Sequence, residues 1–372
     1  MSILLCGRAL CVVFLASLVS PIAASAEADE AKETKTTQFT FSGYADVYYL
    51  DDFSPTPFSN REITPSGLSP VYSFAKQNRF DLNHALVDAK FTTDSVRGAL
   101  GIQAGTYVET NYANENSMVR HLFEAQIGFK PGSAPIWIDA GIFSSHIGLE
   151  SAVSKDDWTP TRSIMADNTP YYESGVKVTW DPNARWEYTL LLLQGWQEID
   201  SQSGNKAVGT EIIFKPTDAW VVNSSTYLGQ SPNSRARLRR YFHDFYITWQ
   251  ATKTWAFALS TDVGFDQTSV TNRSLQSWIS ATFLARWQFA QKWSATARAE
   301  AYHDPHGLTL ATGTPNNFVA LGESINLDWH PSSSLLVRLE LRSIRSRDQI
   351  FIDQRGPSDL DSFATVSTAV SF

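Results

Sequence analysis

The chain has 372 residues, of which 43% are hydrophobic, 13% aromatic and 18% charged, and its formal net charge is -8. After the first thirty positions no run of eighteen apolar residues occurs, which excludes a mature transmembrane helix, and the acidic balance excludes a surface organised to coat nucleic acid. Two or three soluble domains, or one large barrel whose alternating strands dilute their apolar signal by half, remain open on these grounds.

Residues 1–26 read as a secretory signal, with Arg8 supplying positive charge, Ala9 to Val19 an apolar core, and Ala24-Ser25-Ala26 a small-residue cleavage site. Both cysteines, Cys6 and Cys11, lie in this segment, so the remaining chain is expected to offer no disulfide, thiolate nucleophile or thiolate metal ligand. Losing the segment removes one positive charge and moves the net charge from -8 to -9. Residues 27–38 are charged and Thr-rich without apolar periodicity, and read as a short mobile tail.

From there to the end, about sixteen alternating segments follow, near 39–49, 79–92, 95–107, 118–130, 135–143, 171–180, 185–196, 207–215, 219–229, 240–251, 254–266, 276–289, 293–303, 317–330, 334–345 and 363–372. Their connections alternate in length. Thr93-Asp94, Pro131-Gly132-Ser133, Asp181-Pro182-Asn183, Pro216-Thr217-Asp218, Thr252-Lys253, Gln291-Lys292 and Pro331-Ser332-Ser333 have the chemistry of tight turns. Between them lie longer loops near 50–78, 108–117, 144–170, 197–206, 230–239, 267–275, 304–316 and 346–362. Strict short-long alternation predicts a transmembrane antiparallel β-barrel over 39–372, with short periplasmic turns and long extracellular loops.

Tryptophan placement points the same way. Trp180, Trp186, Trp220, Trp249, Trp255, Trp287, Trp293 and Trp329 lie within a few residues of a short turn and share the parity of the apolar face, as a girdle at one membrane interface requires. On the opposite parity, Arg298, Glu300, Arg338, Glu340 and Arg342 must face water and are expected to line the pore wall. Some positions break this order: parity changes between Asp81 and Lys90, as a bulge would cause, and His243 and Glu323 fall on the outward side. The basic run over 234–240 is expected to face lipopolysaccharide phosphates, and the terminal Phe372 resembles the signal read by the barrel-assembly machinery.

The stretch between the fifth and sixth segments does not alternate. Residues 144–170 carry Glu150, Lys155, Asp156, Asp157, Arg162 and Asp167, and the connection is longer than compact domains ordinarily tolerate. General porins keep their constriction loop at this place in the strand order, and by that analogy the loop folds into the lumen, with those six residues forming the constriction. An external, solvated cap is the alternative.

Two patches carry a family resemblance. The run from Ala140 through Ser144-Ser145-His146-Ile147-Gly148-Leu149-Glu150, then Thr161-Arg162-Ser163 and Asn168-Thr169-Pro170-Tyr171-Tyr172-Glu173-Ser174-Gly175-Val176-Lys177, is similar to the signature region of the OmpL-like β-barrel porins of Gram-negative bacteria. The opening strand from Phe41 to Tyr49 is similar to that family's start. The resemblance implies a bacterial outer-membrane porin passing small hydrophilic solutes or ions, without catalytic residues, cofactor or metal. The expected partners are outer-membrane lipid and lipopolysaccharide, with a homotrimer open as an assembly.

An outer-membrane barrel enzyme of the lipid hydrolase type is the alternative function. Seven histidines and many serines are present, yet no Gly-x-Ser-x-Gly elbow occurs. His303-Asp304-Pro305-His306 and His146 with Glu150 are the pairs that could ligate a metal, and solvation or pore lining is the simpler reading of each.

Overall fold

The computed structural model describes residues 37–53, 71, 73–200, 204, 206–232, 238–269, 271 and 273–372. The expected leader, nearly all of the tail and residues 234–237 of the basic run lie outside them. Sixteen strands close one antiparallel barrel. The first eight are β1 (Gln38–Asp52), β2 (Phe80–Thr92), β3 (Val96–Ala104), β4 (Leu122–Phe129), β5 (Ile136–Ser144), β6 (Tyr172–Asn183), β7 (Trp186–Leu193) and β8 (Ala207–Phe214). Then come β9 (Trp220–Gln230), β10 (Arg239–Gln250), β11 (Trp255–Gln267), β12 (Leu275–Ala290), β13 (Trp293–Asp304), β14 (Phe318–Ser332) and β15 (Leu335–Ser346). A small hairpin, β16 (Phe351–Asp353) and β17 (Gly356–Ser358), decorates the last loop before β18 (Leu360–Ser371) closes against β1.

Period-two patterning explains why these segments pair as they do. In β13, Ser294, Thr296, Arg298, Glu300 and Tyr302 are buried inside while the alanines between them face out, and β15 repeats the pattern with Arg338, Glu340 and Arg342 inside. Closure leaves no free edge, so the backbone's polar groups pair across strands, as hydrocarbon requires. At the seam, Gly43 and Phe372 exchange backbone hydrogen bonds of 3.2 and 3.0 Å. The parity change expected in β2 is a bulge: Asp46 pairs with His84 but Val47 with Leu82, leaving Asn83 extra. The bulge turns both Asn83 and His84 inward, where Asp46 accepts from the Asn83 side chain and the His84 backbone N–H, the latter at 2.8 Å.

Several strands end sooner than their alternation suggests. β3 stops at Ala104 because Gly105 adopts φ +124, where a Cβ would lie 2.4 Å from the Asn83 carbonyl, and the chain turns into helix α1 (Thr106–Asn111). β7 stops at Leu193, so Trp196 leaves the wall and packs inside. The interior is not wet throughout. At the long-loop end Trp196, Tyr227, Phe242, Trp278, Tyr302 and Phe318 form a dry aromatic cluster, the geometry of a soluble protein's core.

Candidate functional site

The loop over 144–170 leaves β5 with its neck tied, since the Ser145 N–H donates to the Tyr171 carbonyl at 3.0 Å. His146 is the first anchor. Its Nδ1 lies 2.8 Å from a Glu173 carboxylate oxygen and its Nε2 2.9 Å from the Thr226 carbonyl, and because both partners only accept, both ring nitrogens donate. Burial opposes that charge, but the Glu173 carboxylate outweighs it and holds the imidazole's pKa up at about 9. Gly209 makes room: a Cβ there would stand 2.7 Å from Nε2. The Gly148 N–H then donates to Asp244 on β10 at 3.3 Å, and Ser154 Oγ donates to Asp46 on β1 at 2.9 Å, so the loop crosses the lumen.

Between these anchors the loop covers the charged wall. The Thr161 N–H and hydroxyl both donate to Glu340, at 3.0 and 2.7 Å, and the Ile164 N–H donates to Glu300 at 2.7 Å. Arg298 donates to the Thr161 carbonyl at 2.6 Å, to Thr159 Oγ1 at 3.0 Å and to Glu340 at 3.0 Å. Arg342 donates to the Arg162 carbonyl at 2.8 Å and to Glu300 at 2.6 Å, while Arg338 donates to the Ser154 carbonyl at 2.7 Å and is held by Asp328 at 2.9 Å. All five expected wall residues are therefore only 0 to 5% exposed. Desolvated charges of this kind persist only when paired and hydrogen-bonded, and here the loop's carbonyls and N–H groups supply much of the bonding, while Arg298 Nε and Arg342 Nε make no hydrogen bond.

The six loop residues divide by role. Glu150 lies 3.9 Å from Arg298 and accepts the Ser163 N–H at 3.0 Å, and Asp167 accepts from Ser73 Oγ at 3.1 Å. Burial raises the Asp167 carboxyl to about 6, with Arg162 and Arg342 pulling the other way. Arg162 was expected to line the constriction and does not. It is fully buried, donating to the Ser151 carbonyl at 2.8 Å and to the Ala152 carbonyl, 3.8 Å from Asp157, with its guanidinium 4.8 Å from the Tyr107 ring and 5.5 Å from the Tyr171 ring. It staples the loop to itself. Asp156 was expected to form part of the constriction, but it is exposed and pairs with Lys155 at 2.9 Å.

The contact between the loop and the arginine wall is therefore closed, with Arg298, Arg338 and Arg342 buried beneath it. Open, polar space lies along the wall of β2–β7, where a cavity of about 400 Å³ is lined by Lys90, Arg97, Gln126, Asp139, Lys177 and Glu187 among others. Arg97 Nε lies 2.6 Å from Asp139, and Lys90 sits 3.2 Å from Asp88 and 2.5 Å from Glu124. These residues escaped the sequence reading, although their inward parity was available as a signal. Residues Ser73 and Phe74 of the first long loop, and Tyr107 and Tyr112 around α1, escaped it too, because their burial follows from tertiary packing alone.

The eight tryptophans stand at the short-turn ends of their strands, and six are stacked in register: Trp220 with Trp249 at 5.0 Å, Trp255 with Trp287 at 5.6 Å and Trp293 with Trp329 at 5.8 Å. Trp186 and Trp180 both stack on Tyr188. Ser225 Oγ donates to the His146 backbone carbonyl, at 2.7 Å. Among the described residues no group of three or more His, Cys, Asp and Glu side chains could hold a metal ion.

The family described as "Putative beta-barrel porin-2, OmpL-like" matches residues 38–372. Among solved structures, the anion-selective porin from Comamonas acidovorans is similar at TM-score 0.59 and 6% identity, over 91% of this chain and 100% of that one. The outer membrane channel DcaP of Acinetobacter baumannii is similar at TM-score 0.59 and 10% identity, over 90% and 97%. The trimer form of OmpT from Vibrio cholerae is similar at TM-score 0.56 and 9% identity, over 90% and 99%. At these identities the likeness is one of fold. No curated protein is similar to this chain in sequence.

Proposed function

The chain belongs to the OmpL-like beta-barrel porin family and is an outer-membrane porin, and from that premise we propose that its solutes are small and hydrophilic and pass along the uncovered wall of β2–β7. The single observation that carries this reading is the contrast between the two halves of the lumen. Arg298, Arg338 and Arg342 are covered and neutralised by Glu300, Asp328 and Glu340, whereas Lys90, Arg97 and Lys177 border open space with Asp139, Asp181 and Glu187. Three cations against three carboxylates give a passage with little net preference between anions and cations. The loop over 144–170 acts as the sieve by occupying the other half. Stacked tryptophans at the short-turn ends form the girdle at the periplasmic interface, and three copies assemble as a trimer, a reading supported by the fold shared with the OmpT trimer form.

Salt-gradient recording in planar bilayers tests the passage. Lys177→Glu changes the balance to two cations and four carboxylates and is expected to move the reversal potential toward cations. Deleting residues 151–161 is expected to raise conductance and the size limit for sugars, with the strand ladder intact. A folded, inserted deletion variant that keeps wild-type conductance and sugar exclusion, or an unmoved reversal potential in Lys177→Glu, overturns the reading.

A further inference from the structure

We propose that the inner wall of β10–β12 holds a calcium ion between Asp244 and Asp262, where the lumen loop is rooted. The two aspartates stand directly opposite each other across β10 and β11, on the inward parity, and are 0 and 1% exposed. Their carboxyl groups lie within hydrogen-bonding reach of one another. Among the described residues neither forms an ion pair, and the only charged group acting on Asp262 is Asp244. Two histidines act on Asp244 from farther off, and both are engaged elsewhere. His146 is held by Glu173, and His243 points out of the barrel against the Ser224 hydroxyl.

The hydroxyls around the pair point to a cation. Ser280 stands opposite Asp262 on β12, and Thr282 lies one step down the same inward face, opposite Ser260. Ser280 Oγ, Thr282 Oγ1 and Asp262 Oδ1 are all buried without a hydrogen-bond partner. Ser260 Oγ donates to Asp244 at 3.5 Å, beside the Gly148 N–H at 3.3 Å. Buried polar atoms are ordinarily bonded, so bare oxygens beside two carboxylates call for a common partner. A shared proton is too little: it joins the carboxylates but leaves one negative charge buried, and it gives the Ser280 and Thr282 oxygens nothing. A divalent cation cancels both charges and draws the lone pairs of all these oxygens to one point.

The donors are oxygen alone, the chemistry of a hard cation. Calcium takes six to eight oxygens at about 2.4 Å in irregular geometry, which two carboxylates and neighbouring hydroxyls can supply. Magnesium keeps several waters, and here the stacked rings of Phe242 and Trp278, each two residues along its strand toward the long loops, close the site. Sodium leaves one charge uncancelled. Because Asp244 also accepts the Gly148 N–H, a bound calcium fixes the root of the loop to the wall. The site does not depend on which solutes take the passage along β2–β7.

The full chain refolded in detergent from inclusion bodies, and so free of lipopolysaccharide, tests this. Elemental analysis after dialysis is expected to find one calcium per chain, and terbium alone is expected to bind at the same ratio and be displaced by calcium. Asp262→Asn is expected to lose that ion while remaining a heat-modifiable barrel. Should it fail to fold, Ser280→Ala with Thr282→Ala keeps both carboxylates and is expected to bind calcium about tenfold more weakly. Chelation of the wild type is expected to speed hydrogen exchange at the Gly148 amide. A wild-type barrel that takes up neither calcium nor terbium at one per chain holds only a shared proton, which overturns the proposal. Binding undiminished in Asp262→Asn, or in the Ser280 and Thr282 double variant, puts the ion elsewhere and overturns it equally.

Discussion

Glu340→Gln is the sharpest probe of how the lumen loop is held. Glu340 is fully buried, accepts two hydrogen bonds from Thr161 and one from Arg298, and is one of the carboxylates balancing Arg298 and Arg342. A carboxamide of the same shape accepts at only one end, so its NH2 group must face a donor, either Arg298 or Thr161. Arg298 keeps Glu300 at 3.6 Å and Glu150 at 3.9 Å, so the loss falls short of stranding a buried charge. Taking a hydrogen bond to a charged group at about 2 kcal/mol, the segment around Thr161 should leave the wall about 30 times more often. Two measurements read this: hydrogen exchange at the Thr161 amide, expected to speed up about 30-fold, and open-channel current noise, expected to rise. Strand pairing does not involve the side chain, so the variant should remain a heat-modifiable barrel. Unchanged exchange at Thr161 in such a barrel would refute the claim that this carboxylate latches the loop.

The Asp167 carboxyl, raised to about 6 from its ordinary 3.8 by burial, makes the loop's packing pH-dependent. A folded-state pKa above the unfolded one means that its stabilising contribution is complete below about 3.8 and is lost as pH rises through about 6, so loop exchange should quicken across that window and Asp167→Asn should flatten the change. Deleting Phe372 removes the backbone pair with Gly43 and the ring packed on Phe41 at 6.1 Å, at the seam where β18 meets β1. The expected outcome is less assembled barrel in the outer membrane with unchanged single-channel conductance in what does assemble; normal amounts of heat-modifiable protein would refute it.

The architecture was legible because its signals are local. Alternation at period two is written residue by residue, so the sixteen strands, the short turns, the bulge near Asn83 and the outward placement of His243 and Glu323 can all be read without knowing what any strand touches. The wall charges were legible for the same reason: Arg298, Glu300, Arg338, Glu340 and Arg342 sit on the inward parity, and lipid forbids the other side. Their state was not. Whether an inward arginine meets water or a loop carbonyl depends on contacts such as Arg338 with Ser154 and Thr161 with Glu340, made between residues 184 and 179 positions apart. A loop has no period, so nothing local tells Asp156, which stays exposed, from Asp157, which is buried, or marks Arg162 as an internal staple between Tyr107 and Tyr171. The sequence alone determined which side chains enter the lumen, because the alternation of a strand is set by its own backbone. Only the tertiary structure decided which of them stay wet, because desolvation depends on everything packed within hydrogen-bonding reach.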